Sequence, residues 1–255
     1  MKKRLMAAVL STAMAATMLL TGSISVQAAD AAAANDPAVE LIFTSVSVSG
    51  DSHTEAMYEF ADKVEELSGG SVTCKCYDNG SLFSSENEFD ALLNGDADLA
   101  YISFPTIATQ IPSYSMFASG YLFSSYEHMT SVLNGDIGLN KIRPQIEETL
   151  NIKPLSSFYL GSRVINTREK EINSYDDMNG LLLRMPNSEA WLFLGEALGA
   201  NPTPLSFSEL YTALQTGAVD AQDNPLPSIE SAKFYEVTKY IAITNHVVDS
   251  IMPCI

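Results

Sequence analysis

The chain has 255 residues, 46% of them hydrophobic, with 31 acidic against 14 basic side chains and a formal net charge of −17. So acidic a protein lacks the basic footprint that nucleic acid demands, and that class of partner is excluded. An acidic small ligand stays open, because an arginine in a cleft acts over a few Å while surface charge is screened beyond roughly 8–10 Å.

The first 28 residues carry Lys2, Lys3 and Arg4, then an apolar run, then small residues with Val26 and Ala28 placed for cleavage before Ala29. This is the pattern of a secretory signal peptide. Ser23 stands where a lipoprotein would carry its lipidated cysteine, so an exported, unanchored, extracytoplasmic protein is expected. Its loss leaves 11 basic residues from the original 14, which makes the mature chain more acidic still. Residues 29 to 38, "ADAAAANDPA", read as a mobile mature N-terminus.

From Val39 the chain reads strand, turn, helix, strand. The helix spans about His53 to Leu67, with Ala56, Phe60, Val64 and Leu67 on one face and Gly69 and Gly70 as its stop. Cys74 and Cys76 share a strand face with Val72 and read as small buried apolar groups; neighbours two apart make a strained bridge and Cys254 is distant, so no disulfide is assigned. The three histidines have no partners at metal-ligand spacing, and neither a metal site nor a cofactor is expected. In "SENEFDALLNGDADLAYISFP", Ser85 and Glu88 have the form of a capping box, Phe89 with Leu92 and Leu93 form the stripe, Gly95 caps, and a strand to Ile102 leads to Ser103. Helices follow from about Tyr126 to Leu133 and Gly138 to Leu150, then a strand from Leu155 to Leu160.

The helix-to-strand passage recurs twice. "SYDDMNGLLLRMPNS" breaks at Gly180, runs through Leu181 to Leu183 and reaches Arg184. "SFSELYTALQTGAVDAQDNPLPS" repeats the capping box at Ser206 and Glu209, caps at Gly217, and alternates as a strand into Asn224 before Pro225. The fold class is therefore α/β, and the similar helix-glycine-strand units suggest two related lobes. Three strands deliver polar groups to proline-marked turns, at the strand ends where open α/β sheets bind ligands. Arg184, joined to an apolar run, is expected to be buried and to need an anion, either a ligand or an internal carboxylate. Arg163 alone reads as a solvated turn residue, and Asn224 alone as a turn amide.

Together, "LGSRVINT", "SYDDMNGLLLRMPNS", "LGANPTPLSFSELYTALQTGAVDAQDNPL" and "AKFYEVTKYIAITNH" carry a resemblance to the solute-binding proteins of tripartite ATP-independent periplasmic (TRAP) transporters, the DctP type. It is dense over residues 161 to 246 and looser but collinear over residues 41 to 160. The resemblance implies a two-lobed periplasmic-binding-protein-like fold that closes on an organic acid and hands it to a TRAP membrane permease driven by an ion gradient. Lobe I would comprise residues 39–160 with 249–255, and lobe II residues 161–248. The chain stops in a predicted strand, so a C-terminal segment completing lobe I is expected to be missing.

The resemblance also implies roles. Arg184 would grip the ligand carboxylate, Arg163 would be a second ligand-facing arginine, Asn224 would hydrogen-bond the carboxylate, Phe207 would pack on the ligand body, and Ser103 would sit at a specificity position of lobe I. Val46 and Ser103 replace polar and acidic groups found in sialic-acid binders, which argues against that ligand. Ala221 and Asp223 stand where the family more often has Gly and Glu, and Phe83 replaces a usual glycine. A monomer is expected. An enzyme is not: "SGDSHTE" lacks the second glycine of a nucleophile elbow, Ile243 stands where a hydrolase of the GDSL type needs Asp before His246, and neither a phosphate loop nor a dinucleotide fingerprint occurs. A ligand-binding sensor or scavenger with the same fold is the alternative, distinguished by whether permease or signalling genes lie adjacent.

Overall fold

The opening unit is β1 (Val39–Thr44), α1 (Ser52–Leu67) and β2 (Val72–Tyr77), within a computed structural model that describes residues 38–255. The expected signal peptide and nearly all of the expected mobile N-terminus lie outside the described residues. Helix α1 starts where Asp51 accepts the His53 N–H at 2.9 Å. Its buried stripe is His53, Met57 and Ala61, one position round from the face expected, because Met57 packs into the cluster of Phe43, Leu99 and Tyr101; Leu67 is 85% exposed.

The first half continues through α2 (Glu88–Asn94), β3 (Leu99–Ile102), the single turn α3 (Phe104–Ile107), α4 (Tyr126–Leu133) and α5 (Arg143–Leu150). A π turn at Gly138–Ile142 leads into α5, where Pro144 has no N–H for a regular ladder. The strand expected at Leu155 to Leu160 is β4 (Phe158–Thr167), twice as long as a typical strand and continuing through Arg163. The second half holds β5 (Leu182–Met185), α6 (Glu189–Ala197), β6 (Asn201–Pro204), α7 (Phe207–Thr216), β7 (Ala221–Pro225) and α8 (Leu226–Ser231), and β8 (Tyr240–Cys254) ends the chain.

Two capping boxes differ from expectation. At α2 the helix begins only at Glu88, with Asn87 at the cap, and Ser85 Oγ donates to Glu86 Oε1 at 3.0 Å instead. At α7 Ser206 is the N-cap residue, yet its hydroxyl donates to Glu209 Oε2 at 2.5 Å rather than accepting a backbone N–H. In both places a carboxylate three residues or fewer away offers a stronger, charge-assisted bond.

The eight strands lie in the order β2-β1-β3-β8-β4-β7-β5-β6, a two-lobed α/β arrangement in which β4 and β8 run antiparallel and carry the sheet from one half to the other. β8 pairs with β3 through Met252 and Cys254, and with β4 along most of its remaining length. Each half has apolar clusters on its faces, built around Phe104, Ile107 and Met252 or Phe43 and Met57 in the first, and around Leu183, Met185 and Trp191 or Leu210, Leu214 and Phe234 in the second.

The two helix-glycine-strand units are one construction used twice. Gly95 and Gly217 adopt φ of 76° and 81° at the C-caps of α2 and α7, a conformation that strains residues with a Cβ. Three residues on, Asp98 accepts the Ile42 N–H through Oδ2 at 2.8 Å, and Asp220 accepts the Leu182 N–H at 3.0 Å. Both aspartates also donate their own N–H to the same residue's carbonyl, at 3.0 and 2.9 Å. The carboxylate thus starts each strand in register with its parallel neighbour.

Two irregularities bend the β4–β8 pair. Val164 alone faces the four residues 243 to 246 of β8, and the loop so formed turns on Asn245 at φ 46° and points His246 inward. At the other, Gly161 has φ 133°, and a Cβ there would stand 2.4 Å from Pro225 Cβ. Gly161→Ala is therefore expected to lower stability by about 2–3 kcal/mol, through backbone strain and overpacking together. Urea denaturation measures it; an unchanged midpoint would show that β4 shifts to make room.

Candidate functional site

A cavity of about 370 Å³ opens at the strand ends, with Val46, Asp51 and Ser103 from the first half and Arg163, Arg184, Phe207 and Asn224 from the second on its wall. Asp51 Oδ2, at the start of α1, accepts from Ser231 Oγ at the end of α8 at 3.2 Å, so the two halves meet at its rim. All five residues singled out from the sequence line this one space.

Arg184 lies in β5 between Leu183 and Met185, both fully buried, and is itself 2% exposed. Its Nε donates to the Leu205 carbonyl at 2.7 Å. Among the described residues no carboxylate forms an ion pair with it. Burial, then the charge of Arg163, pushes its pKa down to about 10, which still leaves it cationic at neutral pH.

Arg163 is the reverse case. Read as an exposed turn residue on its own, it is 3% exposed within β4, because the strand runs on past it. Its Nε donates to Asp223 Oδ1 at 2.8 Å, Nη1 to Asp249 Oδ2 at 2.8 Å, and Nη2 to the Asp223 carbonyl at 2.5 Å. The guanidinium also lies 4.4 Å from the ring centre of Trp191. Burial disfavours its charge, but the two aspartates outweigh that and raise its pKa above the usual arginine range. Burial likewise acts against ionised Asp223, yet Arg163 and His246 overcome it and hold that carboxyl below its ordinary value. For Asp249 burial prevails and the carboxyl is raised. His246 bonds Asp223 Oδ2 through Nε2 and Thr244 Oγ1 through Nδ1, both at 2.7 Å, so neither ring nitrogen is available to a substrate.

Asn224 closes this network. Its Oδ1 accepts from Arg163 Nη2 at 3.3 Å and its Nδ2 donates to Gln222 Oε1 at 2.6 Å; Gln222 in turn donates to Asn166 at 3.1 Å. The amide orientation is thus set by a buried chain of side chains. Phe207 stands edge-on to Phe234 with ring centres 5.6 Å apart. Ser103, at the start of α3, shares a hydrogen bond with Thr106 Oγ1 at 2.9 Å.

Sequence reasoning missed Trp191, Asp249, His246 and Glu88. A signal existed for Asp249, a lone acid in the apolar run of "NHVVDSIMPCI", which carries the same implication as an arginine beside Leu181 to Leu183. Glu88 was hidden by its reading as a cap. Among the described residues no group of three or more His, Cys, Asp or Glu is placed to hold a metal ion, and no helix is long and apolar enough to cross a membrane.

The profile of the DctP family, described as bacterial extracellular solute-binding protein, family 7, matches residues 43–255. The chain is 35% identical over 192 residues to the sialic acid-binding periplasmic protein SiaP of Vibrio cholerae, covering 75% of this chain and 59% of that protein. It thus spans less than two thirds of that relative's length. A TRAP periplasmic solute-binding protein of Roseobacter denitrificans, solved with bound 3-deoxy-D-manno-oct-2-ulosonic acid, superposes with a TM-score of 0.80 at 40% identity, over 85% of this chain and 71% of that one. The sugar acid binding protein DctPAm of Advenella mimigardefordensis, in complex with galactonate, gives a TM-score of 0.81 at 31% identity, over 86% and 70% of the two chains. With the family profile matched over residues 43–255 and a two-lobed sheet that superposes on these solved structures, the chain belongs to the DctP family of bacterial extracellular solute-binding proteins.

Proposed function

We propose that this protein captures an organic acid outside the cytoplasm and delivers it to a TRAP-type membrane permease. The observation that carries the reading is Arg184, a buried cation on the wall of a 370 Å³ cavity with no carboxylate partner among the described residues. A charge so placed is costly unless an anion joins it, and a guanidinium fork matches the two oxygens of a carboxylate. Asn224, fixed by Arg163 and Gln222, supplies a further polar group to the same anion, and Phe207 packs against the ligand body. Arg163 acts chiefly by holding Asn224 and Asp223 in place, since Asp223 and Asp249 already occupy it. Lobe I is assigned to residues 39–160 with 249–255 and lobe II to residues 161–248, with ligand binding favouring their closed arrangement. Export by a cleaved N-terminal signal, a monomeric state and the absence of enzymatic turnover belong to the same reading. Sialic acid does not carry over from the Vibrio relative, because Val46 and Ser103 stand where the resemblance places a polar and an acidic group in sialic-acid binders.

Thermal-shift measurement against organic acids and their primary amides tests this. The acid at 100 times its Kd is expected to add about 2.7 kcal/mol of stability, and the matching amide none. Equal stabilisation by acid and amide would mean that the cavity does not recognise a carboxylate.

A further inference from the structure

The first-half wall of the cavity holds a buried group with an unmet hydrogen bond. Glu88, the first residue of α2, lines the cavity and is 3% exposed, and its Oε1 has no hydrogen-bond partner. Thr44 Oγ1 likewise has no partner of good hydrogen-bond geometry; it is the one group near enough to favour the ionised carboxyl, and burial outweighs it. Burial pushes the Glu88 carboxyl up to about 8, and no cation offsets it, so at neutral pH it is mostly protonated, with one donor and one acceptor to offer.

The charges around it restrict what those groups can meet. From α1 the cavity is faced by Asp51, from the segment around α2 by Glu86 and Asp90, and from β3 by the phenol of Tyr101, which burial keeps neutral. The cations on the wall are Arg163 and Arg184, both from the second half, and Arg163 is committed to Asp223 and Asp249. The cavity therefore offers one uncompensated positive charge and, on its first-half wall, only neutral or acidic groups.

We propose that Glu88 recognises a hydroxyl of the bound acid, and that the site selects hydroxylated monocarboxylates over dicarboxylates. The inference rests on the carboxylate reading above. A hydroxyl gives and takes one hydrogen bond, as a neutral carboxyl does. A second ligand carboxylate on this wall would meet Asp51, Glu86 and Asp90 without a cation, and an unsubstituted alkyl chain would leave Glu88 unsatisfied.

The test is calorimetric titration of the protein, Glu88→Gln and Glu88→Met with D-galactonate, succinate and pentanoate at pH 6, 7 and 9. The parent should prefer galactonate to succinate and bind it less well at pH 9 than at pH 6. Glu88→Gln, which keeps a donor and an acceptor, should stay within about threefold of the parent at pH 7 and lose the difference between pH 6 and pH 9. Glu88→Met should weaken galactonate by about tenfold or more, and leave pentanoate unchanged or tighter. Glu88→Met binding galactonate like the parent, Glu88→Gln failing as badly as Glu88→Met, or a parent preference for succinate would each overturn the proposal. If the parent binds pentanoate normally and Glu88 proves indifferent, only this assignment fails; if it binds none of the acids, the carboxylate reading fails and takes this one with it.

A ligand-free readout keeps the proposal testable should Glu88→Met not fold. A carboxyl raised from 4.5 to about 8 holds a proton that the unfolded chain has released, so the parent's stability should fall as pH rises through that window and level off above it. In Glu88→Gln that component of the slope should vanish, and its persistence would show that Glu88 is ionised in the folded protein.

Discussion

Arg184→Ala is expected to weaken organic-acid binding by roughly 2–5 kcal/mol, the range for removing one partner of a buried, hydrogen-bonded charge pair. The same substitution should leave the ligand-free protein as stable as the parent or more so. In the free state Arg184 is buried, has only the Leu205 carbonyl for its Nε, and is repelled by Arg163. Removing it relieves that cost, while leaving one carbonyl unpaired takes back about 1 kcal/mol. Arg184→Met, closer in volume, should show the stabilisation more clearly. Arg184→Lys keeps the charge but cannot form two parallel hydrogen bonds, and should lose most of the affinity. Calorimetry for affinity and thermal denaturation without ligand are the two measurements. Unchanged binding in Arg184→Ala would place the anion site elsewhere, and a large loss of ligand-free stability would mean that Arg184 has an internal partner after all.

Asp223→Ala should cost about 3–5 kcal/mol of folding stability, because it leaves Arg163 and His246 buried with their main partner gone. The pH dependence separates this from a simple packing loss. The folded protein holds Asp223 below its ordinary pKa of 3.8, so the stabilisation it provides is fully present above that value and is lost as pH falls beneath it. The gap between parent and variant should therefore be wide at neutral pH and narrow in strong acid. Asp249, raised by burial, contributes with the opposite sign: its share of stability declines as pH rises through the ordinary aspartate range. Urea titrations of both proteins from pH 7 downward decide the matter, and a gap independent of pH would exclude the ion pair as its source. Arg163→Lys disturbs the same network and should lower stability more than affinity, the reverse of Arg184→Lys.

The contrast between the two arginines marks how far the sequence could be read. Both were picked out, and Arg184 could be expected to be buried because it is joined to Leu181, Leu182 and Leu183. Whether its anion was a ligand or an internal acid stayed open, since nothing local to β5 says which carboxylates lie nearby. From the sequence Arg163 reads as exposed, because the local pattern ends β4 at Leu160. Its extension depends on pairing with β7 and β8, whose partners at Pro225 and Val247 lie more than sixty residues away. Glu88 reads as part of a cap, which is the commoner use of an acid three residues after serine. Only the packing of α2 against β3 and the cavity shows that the helix starts later and buries the carboxyl.

The sequence by itself determined the alternation of helices and strands, the glycine breaks at Gly95, Gly180 and Gly217, and the delivery of Ser103, Arg184 and Asn224 to strand ends, together with the resemblance to the DctP family. These rest on apolar periodicity, on φ values that glycine tolerates and on the restriction before proline, all of which act within a few residues. Tertiary structure alone decided which charges neutralise one another. Arg163, Asp223, His246 and Asp249 come from three strands, and it is the bulges of β4 and β8 at Gly161 and Asn245 that bring them together. Coulomb energy depends on separation and on burial, and neither is a property of a position along the chain. One arginine is thereby paired inside the protein, and the other has no carboxylate partner among the described residues.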